Sequence, residues 1–262
     1  MARILVTGST AGIGLETARQ LLASGHGVVL HARDDARAEA VQAQLRTDAG
    51  EPEVVVGDLT SMASTRRLAL EVAESRPLDV VVHNAGVGAS DERVLTDDGL
   101  ERIFQVNVVA PYLLTALVPA PARLVYLASG TQSRGELLLD DLQHDPARRA
   151  WDGMQAYSDS KLADVVLALA VARRWPYVVS NAVDPGWIRT RMGGASASGE
   201  PAEGADTPVW LATSQEPDAT LSGRYLHRRR ALEPNPAARD EAVQEGLLET
   251  LAELTGTGLP SR

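Results

Sequence analysis

Eight residues near the amino terminus limit the possible folds more than any others. They are Thr7-Gly8-Ser9-Thr10-Ala11-Gly12-Ile13-Gly14, with the apolar Arg3–Thr7 stretch before them and a helical run to Leu22 after them, stopped at Ser24-Gly25. Strand, glycine turn, helix is the arrangement that binds a pyrophosphate. Gly8 permits the tight turn, Gly12 lets the backbone approach phosphate oxygens, and Gly14 lets the helix pack close to the sheet. The helix N-terminus supplies free N–H groups and the positive end of a dipole. A chain that opens this way is expected to build an α/β domain on a doubly wound parallel sheet.

At 262 residues and 44% hydrophobic content, the chain can bury a sizeable core, and residues 1–262 are read as one domain. The formal net charge is −10, from 35 acidic against 25 basic residues, which argues against a nucleic-acid partner. There is no cysteine, which excludes disulfides and thiolate metal sites. His26, His31, His83, His144 and His227 lack ligand spacing, so no metal is expected. The apolar run Ile4–Val6 is too short for a leader or a membrane span. The expected setting is the cytoplasm, with no membrane partner.

Val28–Ala32 reads as a second strand ending at Arg33-Asp34. In a dinucleotide fold this strand end meets the adenosine ribose, where an acid accepts from a 2′-OH and a base pairs with a 2′-phosphate. Ala32 fills the acidic slot and Arg33 follows it, which favours NADP over NAD; alternatively Arg33 only pairs with Asp34 or Asp35. A polar helix, Asp35–Arg46, leads to a third strand, Glu53–Val56, and to Gly57-Asp58-Leu59. Asp58 either accepts from the adenine amino group or shapes the turn before a helix capped by Thr60 or Ser61 and running through Glu74. The fourth strand, Asp79–Val82, ends in His83-Asn84-Ala85-Gly86, a small-residue turn suited to a flat ligand; Asn84 could equally brace its own turn.

Thr96 reads as the N-cap of a long helix, Asp97–Leu117. Pro111 lies four residues after Asn107 and has no N–H for its carbonyl, so a local break is expected at Asn107, either a bland kink or a water site. A fifth strand, Arg123–Ala128, delivers Ser129-Gly130, where the hydroxyl can hold a substrate oxygen or cap the next turn. A short helix or loop carrying Leu137–Leu142 follows, with Trp151 against it. Val178–Val183 is a sixth strand, closed by Asp184-Pro185-Gly186. The small residues of 187–205 suggest a substrate lid or a surface loop. Then come a helix at Thr207–Thr213, a last strand at Gly223–His227, a solvated basic patch at Arg228–Arg230, and a helix at Ala237–Leu254 that covers the sheet or a second subunit.

One further stretch carries chemistry: Tyr157-Ser158-Asp159-Ser160-Lys161. Leu162, Val165, Val166 and Leu169 follow with helical spacing. Positions four apart share a helix face, so Tyr157 and Lys161 can approach one point. A phenol ionises near pH 10, and a neighbouring cation favours the phenolate, which suits acid–base work nearer neutrality. Taken alone, the pair could be an ordinary helix surface.

Together, Thr7-Gly8-x-x-x-Gly12-x-Gly14, Asp58, Asn84-Ala85-Gly86, Asn107, Ser129, Tyr157-x-x-x-Lys161 and Pro185-Gly186 with Thr190 resemble the short-chain dehydrogenase/reductase family, in its single-domain branch. Trp151 followed by Tyr157 is similar to the retinol-dehydrogenase-like bacterial oxidoreductases, although His83 stands where asparagine is more usual. The resemblance implies a Rossmann-type sheet of about seven strands, ordered 3-2-1-4-5-6-7. It also implies that Tyr157 is the general acid/base, that Lys161 assists it and bonds the nicotinamide ribose, that Ser129 polarises the substrate carbonyl, and that Asn107 holds a relay water. Gly8, Ser9, Gly12, Ile13, Gly14, Arg33, Asp58, Leu59, Asn84, Ala85, Gly86, Pro185, Gly186, Ile188 and Thr190 would line the cofactor. Dimers or tetramers through the helices bearing Asn107 and Tyr157 would follow. The expected function is NADP(H)-dependent hydride transfer to or from a small carbonyl/alcohol substrate. Its rival is a non-catalytic NADP-binding sensor. A hydrolase lacks its Gly-x-Ser-x-Gly elbow here.

Overall fold

The computed structural model describes residues 1–46 and 51–261. Its strands are β1 (Arg3–Val6), β2 (Gly27–Ala32), β3 (Glu53–Val56), β4 (Val80–His83), β5 (Arg123–Leu127), β6 (Val179–Asp184), β7 (Arg224–His227) and β8 (Arg230–Leu232). They form one sheet in the order β3-β2-β1-β4-β5-β6-β7-β8. Every pairing through β7 is parallel, and only β8 runs antiparallel to its neighbour. The main helices are α1 (Gly12–Ala23), α2 (Asp35–Leu45), α3 (Met62–Glu74), α4 (Arg102–Phe104), α5 (Ala110–Leu117), α6 (Gly153–Arg174), α7 (Pro201–Thr213) and α8 (Glu241–Thr255).

The inner strands are largely apolar because both sheet faces are covered, with His31 in β2 and Ser180 and Asn181 in β6 among the buried polar exceptions. Leu5, Val29, Val81 and Tyr126 face a core closed by Leu68 of α3, Tyr112 of α5, Leu162 of α6 and Leu247 of α8. Ile4, Val6, Leu30 and Val82 point the other way, onto Ala18 of α1, Val41 of α2 and Trp210 of α7. The strand order matches the sequence expectation and extends it by one strand.

Arg228–Arg230 are exposed, as the reading of a solvated patch expects, but they also build a hairpin into that extra strand, which the sequence reading missed. Arg228 and Arg229 are the two central residues of a hairpin turn, at φ 49° and 60°. Such turns favour Asn-Gly, so two arginines gave no signal. Tertiary contacts hold them instead: Arg229 is ion-paired with Asp206, donates its N–H to Thr207 Oγ1 (3.1 Å), and lies over the Trp210 ring.

The long helix Asp97–Leu117 is also corrected. Thr96 and Leu100 close a turn (N–H to O, 2.9 Å). The helix starts only after Glu101, whose carboxylate accepts from Ile103 and Phe104 N–H at 2.9 and 2.8 Å. Gln105–Val109 is then a π turn, with the Ala110 N–H reaching back five residues to the Gln105 carbonyl. Pro111 explains the widening, since an α register would ask it for an N–H it lacks.

The segment 187–205 is shorter as a loop than expected. Ile188 bridges to Gly199, and α7 has begun by Pro201, six residues before the expected Thr207. At the carboxyl end, the expected Ala237–Leu254 helix starts instead at Glu241, capped by the Asp240 carboxylate. Its apolar face packs on α6 within the same core. No helix among the described residues is long and apolar enough to cross a membrane.

Candidate active site

The glycine turn is nested against the end of β4. Asn84 Nδ2 donates to the Thr7 and Gly8 carbonyls (2.7 and 3.2 Å), and Thr7 Oγ1 accepts from the N–H groups of Asn84 and Ala85 (2.9 Å each). Asn84 therefore braces the phosphate loop rather than its own turn. Gly8 has φ +64°, and a Cβ there would come within 2.9 Å of Ala85 Cα. A Cβ on Gly14 would sit 2.3 Å from Asn84 Nδ2 and 2.5 Å from the Gly8 carbonyl. Gly14→Ala is thus expected to cost roughly 1–3 kcal/mol, as overpacking does, and to abolish any rise in melting temperature on adding a dinucleotide. Thermal melts with and without the cofactor check this.

Beneath the turn lies His31, which no sequence signal had marked. The Gly8 N–H donates to its Nδ1 (2.9 Å), and Nε2 meets the Gly57 carbonyl (2.8 Å). The proton therefore sits on Nε2, and burial holds the ring's pKa below its ordinary value. Ser9 is equally enclosed: its hydroxyl accepts the His31 N–H at 2.8 Å. It therefore braces the turn from inside. Leu59 is buried beside Val106 and Ala110. One Asp58 oxygen accepts from Thr60 N–H and Oγ1 (2.9 and 2.8 Å), so the turn-shaping reading of Asp58 holds. Arg33 is exposed past β2, its Nε 3.8 Å from Asp34, while Asp34 caps α2 and binds Arg37.

The opposite wall comes from the segment after β6. Gly186 turns at φ +86° behind Pro185, and its N–H donates to Asp184 Oδ1 (2.9 Å). Ile188 is buried, and a Cβ on Gly204 would touch both it and Ile13. A Cβ on Gly12 would meet Thr190 Cγ2 at 3.1 Å, so the glycine turn and Thr190 face one another across a narrow crevice. No side chain caps the N-terminus of α1. Open helix N–H groups beside a cradle that only glycine leaves empty fit a pyrophosphate.

Farther along the crevice, a Cβ on Gly86 would lie 3.2 Å from Asn107 Oδ1 and 3.6 Å from Lys161 Nζ. The π turn delivers Asn107 there. Its side chain accepts from Val87 N–H (2.8 Å) and donates to the Val87 carbonyl (3.0 Å) and Ser160 Oγ (2.9 Å). Lys161 Nζ lies 5.9 Å from the Tyr157 ring centre and donates to the Leu127 carbonyl and to Asp164 Oδ2, each at 2.8 Å. Tyr157 is half-buried, with its hydroxyl 4.0 Å from Met192 Sδ. The helix carrying this pair begins four residues earlier than Tyr157, at Gly153, under the Asp152 cap. Ser129 stands beyond β5, where its Oγ accepts from Thr131 N–H (3.2 Å), the capping reading of that residue. Asp164 and Met192 are the neighbours that sequence reasoning underweighted. The Lys161-x-x-Asp164 spacing was a readable signal for the first.

The comparisons with known proteins agree with this geometry. The family model for short chain dehydrogenases matches residues 2–201. The short-chain dehydrogenase chyC of Penicillium rubens is 38% identical over 263 residues, covering 100% of both chains. The putative daunorubicin C-13 ketoreductase DnrU of a Streptomyces species is 34% identical, covering 97% of this chain and 92% of its own. A crystal structure of a putative uncharacterized protein from Mycobacterium paratuberculosis superimposes with a TM-score of 0.85 at 27% identity, over 99% of this chain and 95% of that one. A glycine cradle, a Tyr–Lys pair on one helix face and relatives alike over their whole length make this chain a member of the short-chain dehydrogenase/reductase family, an oxidoreductase of the CH–OH/C=O pair.

Proposed function

We propose that the protein uses NADP(H) to interconvert a small carbonyl compound and its alcohol, with Tyr157 as the general acid/base. The observation that carries this reading is the convergence of Lys161 Nζ and Asn107 on Gly86, with Tyr157 one helical turn from Lys161. When bound, the nicotinamide supplies or accepts the hydride. The chain's own part is to bind, orient and move a proton. Ser129 and Tyr157 hold the substrate oxygen, Tyr157 donates to it during reduction, and Lys161 and Asn107 fix the ribose and the relay water. The backbone about Ile188 and the Thr190 hydroxyl hold the carboxamide. Trp187 and Met192 are exposed apolar side chains beside this mouth and suit an apolar substrate. A ketone is the first class to try, since one relative is named a ketoreductase.

Exposed Arg33, with Asp34 already committed to α2, favours the 2′-phosphate of NADP. Arg33→Ala is expected to weaken NADP(H) binding by roughly tenfold or more, the scale of a charge-assisted hydrogen bond, and to leave NAD(H) unchanged. Fluorescence titration with both cofactors, followed by a carbonyl screen with the preferred one, tests both halves. Equal affinities in the wild type would remove the NADP assignment. Tight binding with no turnover on any ketone, aldehyde or quinone would favour the sensor reading. Within the chain, Leu247, Leu248 and Leu251 of α8 are buried in the core that α6 closes, so a dimer, if one forms, would use a face other than the outer side of α6.

A further inference from the structure

Asp164 is an acid in an unusual place. Its side chain and that of Lys161 are 5% and 6% exposed, and the two are 2.8 Å apart. The second bond of the ammonium goes to the Leu127 carbonyl on β5. Two of the three donors of Lys161 are therefore taken on the side away from the crevice. The third is left for the direction of Gly86 and Tyr157. Along α6 the order is Tyr157, Lys161, Asp164, so the carboxylate stands behind the ammonium as seen from the phenol. A cation backed by an anion presents a dipole, and its field fades faster than that of a lone charge.

We infer that Asp164 is a positioning residue that fixes Lys161 Nζ at the strand end and offsets the charge it presents to the Tyr157 hydroxyl. The inference rests on the proposed reading of Tyr157 as the group that moves the proton. Burial raises the Asp164 carboxyl to about 6 despite the pull of Lys161. Burial works against the Lys161 ammonium too, but the charges of Asp164 and Tyr157 outweigh it and the net direction is upward. Lys161 thus stays cationic, with the Asp164 carboxyl held above its ordinary range beside it.

The surroundings leave Lys161 as the charged group acting on Asp164. Tyr126 on β5 faces it as a neutral phenol pushed upward by burial, and His83 on β4 is stacked behind Tyr126. Thr115, between them on α5, does not titrate. On α8, Glu241 and Glu245 are bound at the far end of α6 by Arg173 and Arg174. Asp159 of α6 is engaged by His144 and Arg149. With its charge in place, Asp164 holds the ammonium at the strand end and leaves less of that charge directed at the Tyr157 hydroxyl.

The test is an ultraviolet titration of tyrosine ionisation, which needs no turnover. The Tyr157 component is the difference between each protein and its Tyr157→Phe partner. Asp164→Asn keeps an acceptor for Lys161 and removes the charge; Asp164→Ser, which is smaller, is run beside it in case the amide disturbs the helix. Seven helical residues span about 10 Å, and a unit charge at that range moves an ionisation by about one pH unit. Either variant should shift the Tyr157 transition about one unit toward lower pH. An unmoved transition, or one that moves upward, in a folded variant overturns the inference. If the wild type reduces no carbonyl while the transition shifts as stated, the proposed function falls and the role of Asp164 stands.

Discussion

Tyr157→Phe is expected to lower carbonyl reduction by about 10²- to 10⁴-fold, the range that a positioned acid contributes, while the affinity for NADPH stays within a few-fold of wild type. The hydroxyl is the only atom removed, and its neighbour here is a thioether 4.0 Å away, so little packing is lost. The Lys161 ammonium keeps its bonds to Leu127 and Asp164. Initial rates with a ketone, together with fluorescence titration of NADPH, separate the two effects. Turnover near the wild-type level would take Tyr157 out of the reaction. Loss of NADPH binding in parallel with rate would mean that the phenol serves the cofactor and not the proton.

A second large effect is expected from acid, through His83. This ring is buried between β4 and α5 and stacked on Tyr126 with 4.6 Å between centres. Thr115 Oγ1 donates to the Pro111 carbonyl, so it accepts from both Tyr126 and His83 Nε2. Nδ1 has no partner among the described residues. A proton added there would sit uncompensated in the core, and burial pushes the ring down to about 3 from its ordinary 6.5. Once unfolded, the same ring takes its proton at the ordinary value. Its contribution to stability is therefore whole above pH 6.5 and is lost as the pH falls to about 3. That gap, at about 1.4 kcal/mol per pH unit, is on the order of 5 kcal/mol. The Asp164 carboxyl, raised to about 6, works in the opposite sense over part of this range, so the comparison must be differential. Urea midpoints measured from pH 7 to pH 4 should fall more steeply for the wild type than for His83→Asn. Parallel curves would show that His83 is not the acid-sensitive group.

How much of this could be read from residues alone varied with the source of each constraint. The parallel sheet was legible because its strands are short apolar runs and its turns carry glycine where a Cβ would strike backbone, as at Gly8 and Gly14. Tyr157 and Lys161 were legible because helix geometry fixes where positions four apart point. The eighth strand was not, since Arg228-Arg229 is a poor turn sequence held in place by α7. Nor was the late start of the helix at Glu101, because Thr96 and Glu101 are both acceptable caps and only the fold decides between them. Pro111 announced a break but not its form. Ser9 and Asn84 were placed on the cofactor, yet their side chains hold the loop that would touch it. A short polar residue beside a phosphate loop serves either purpose, and sequence does not distinguish donor from brace.

The π turn at Gln105–Val109 amounts to one surplus residue wound into a helix. Each helical residue advances the side chains by about 100°. Taking one out of this turn would restore an unbroken spiral, but everything downstream would rotate by that angle relative to everything upstream. Thr115 would swing off Tyr126 and His83, and Tyr112 would leave the Thr257 carbonyl it now bonds. The surplus residue is thus the offset that lets a single rod present Asn107 to the crevice at one end and a polar clasp to the sheet at the other. Deletions in this turn should be far less tolerated than substitutions.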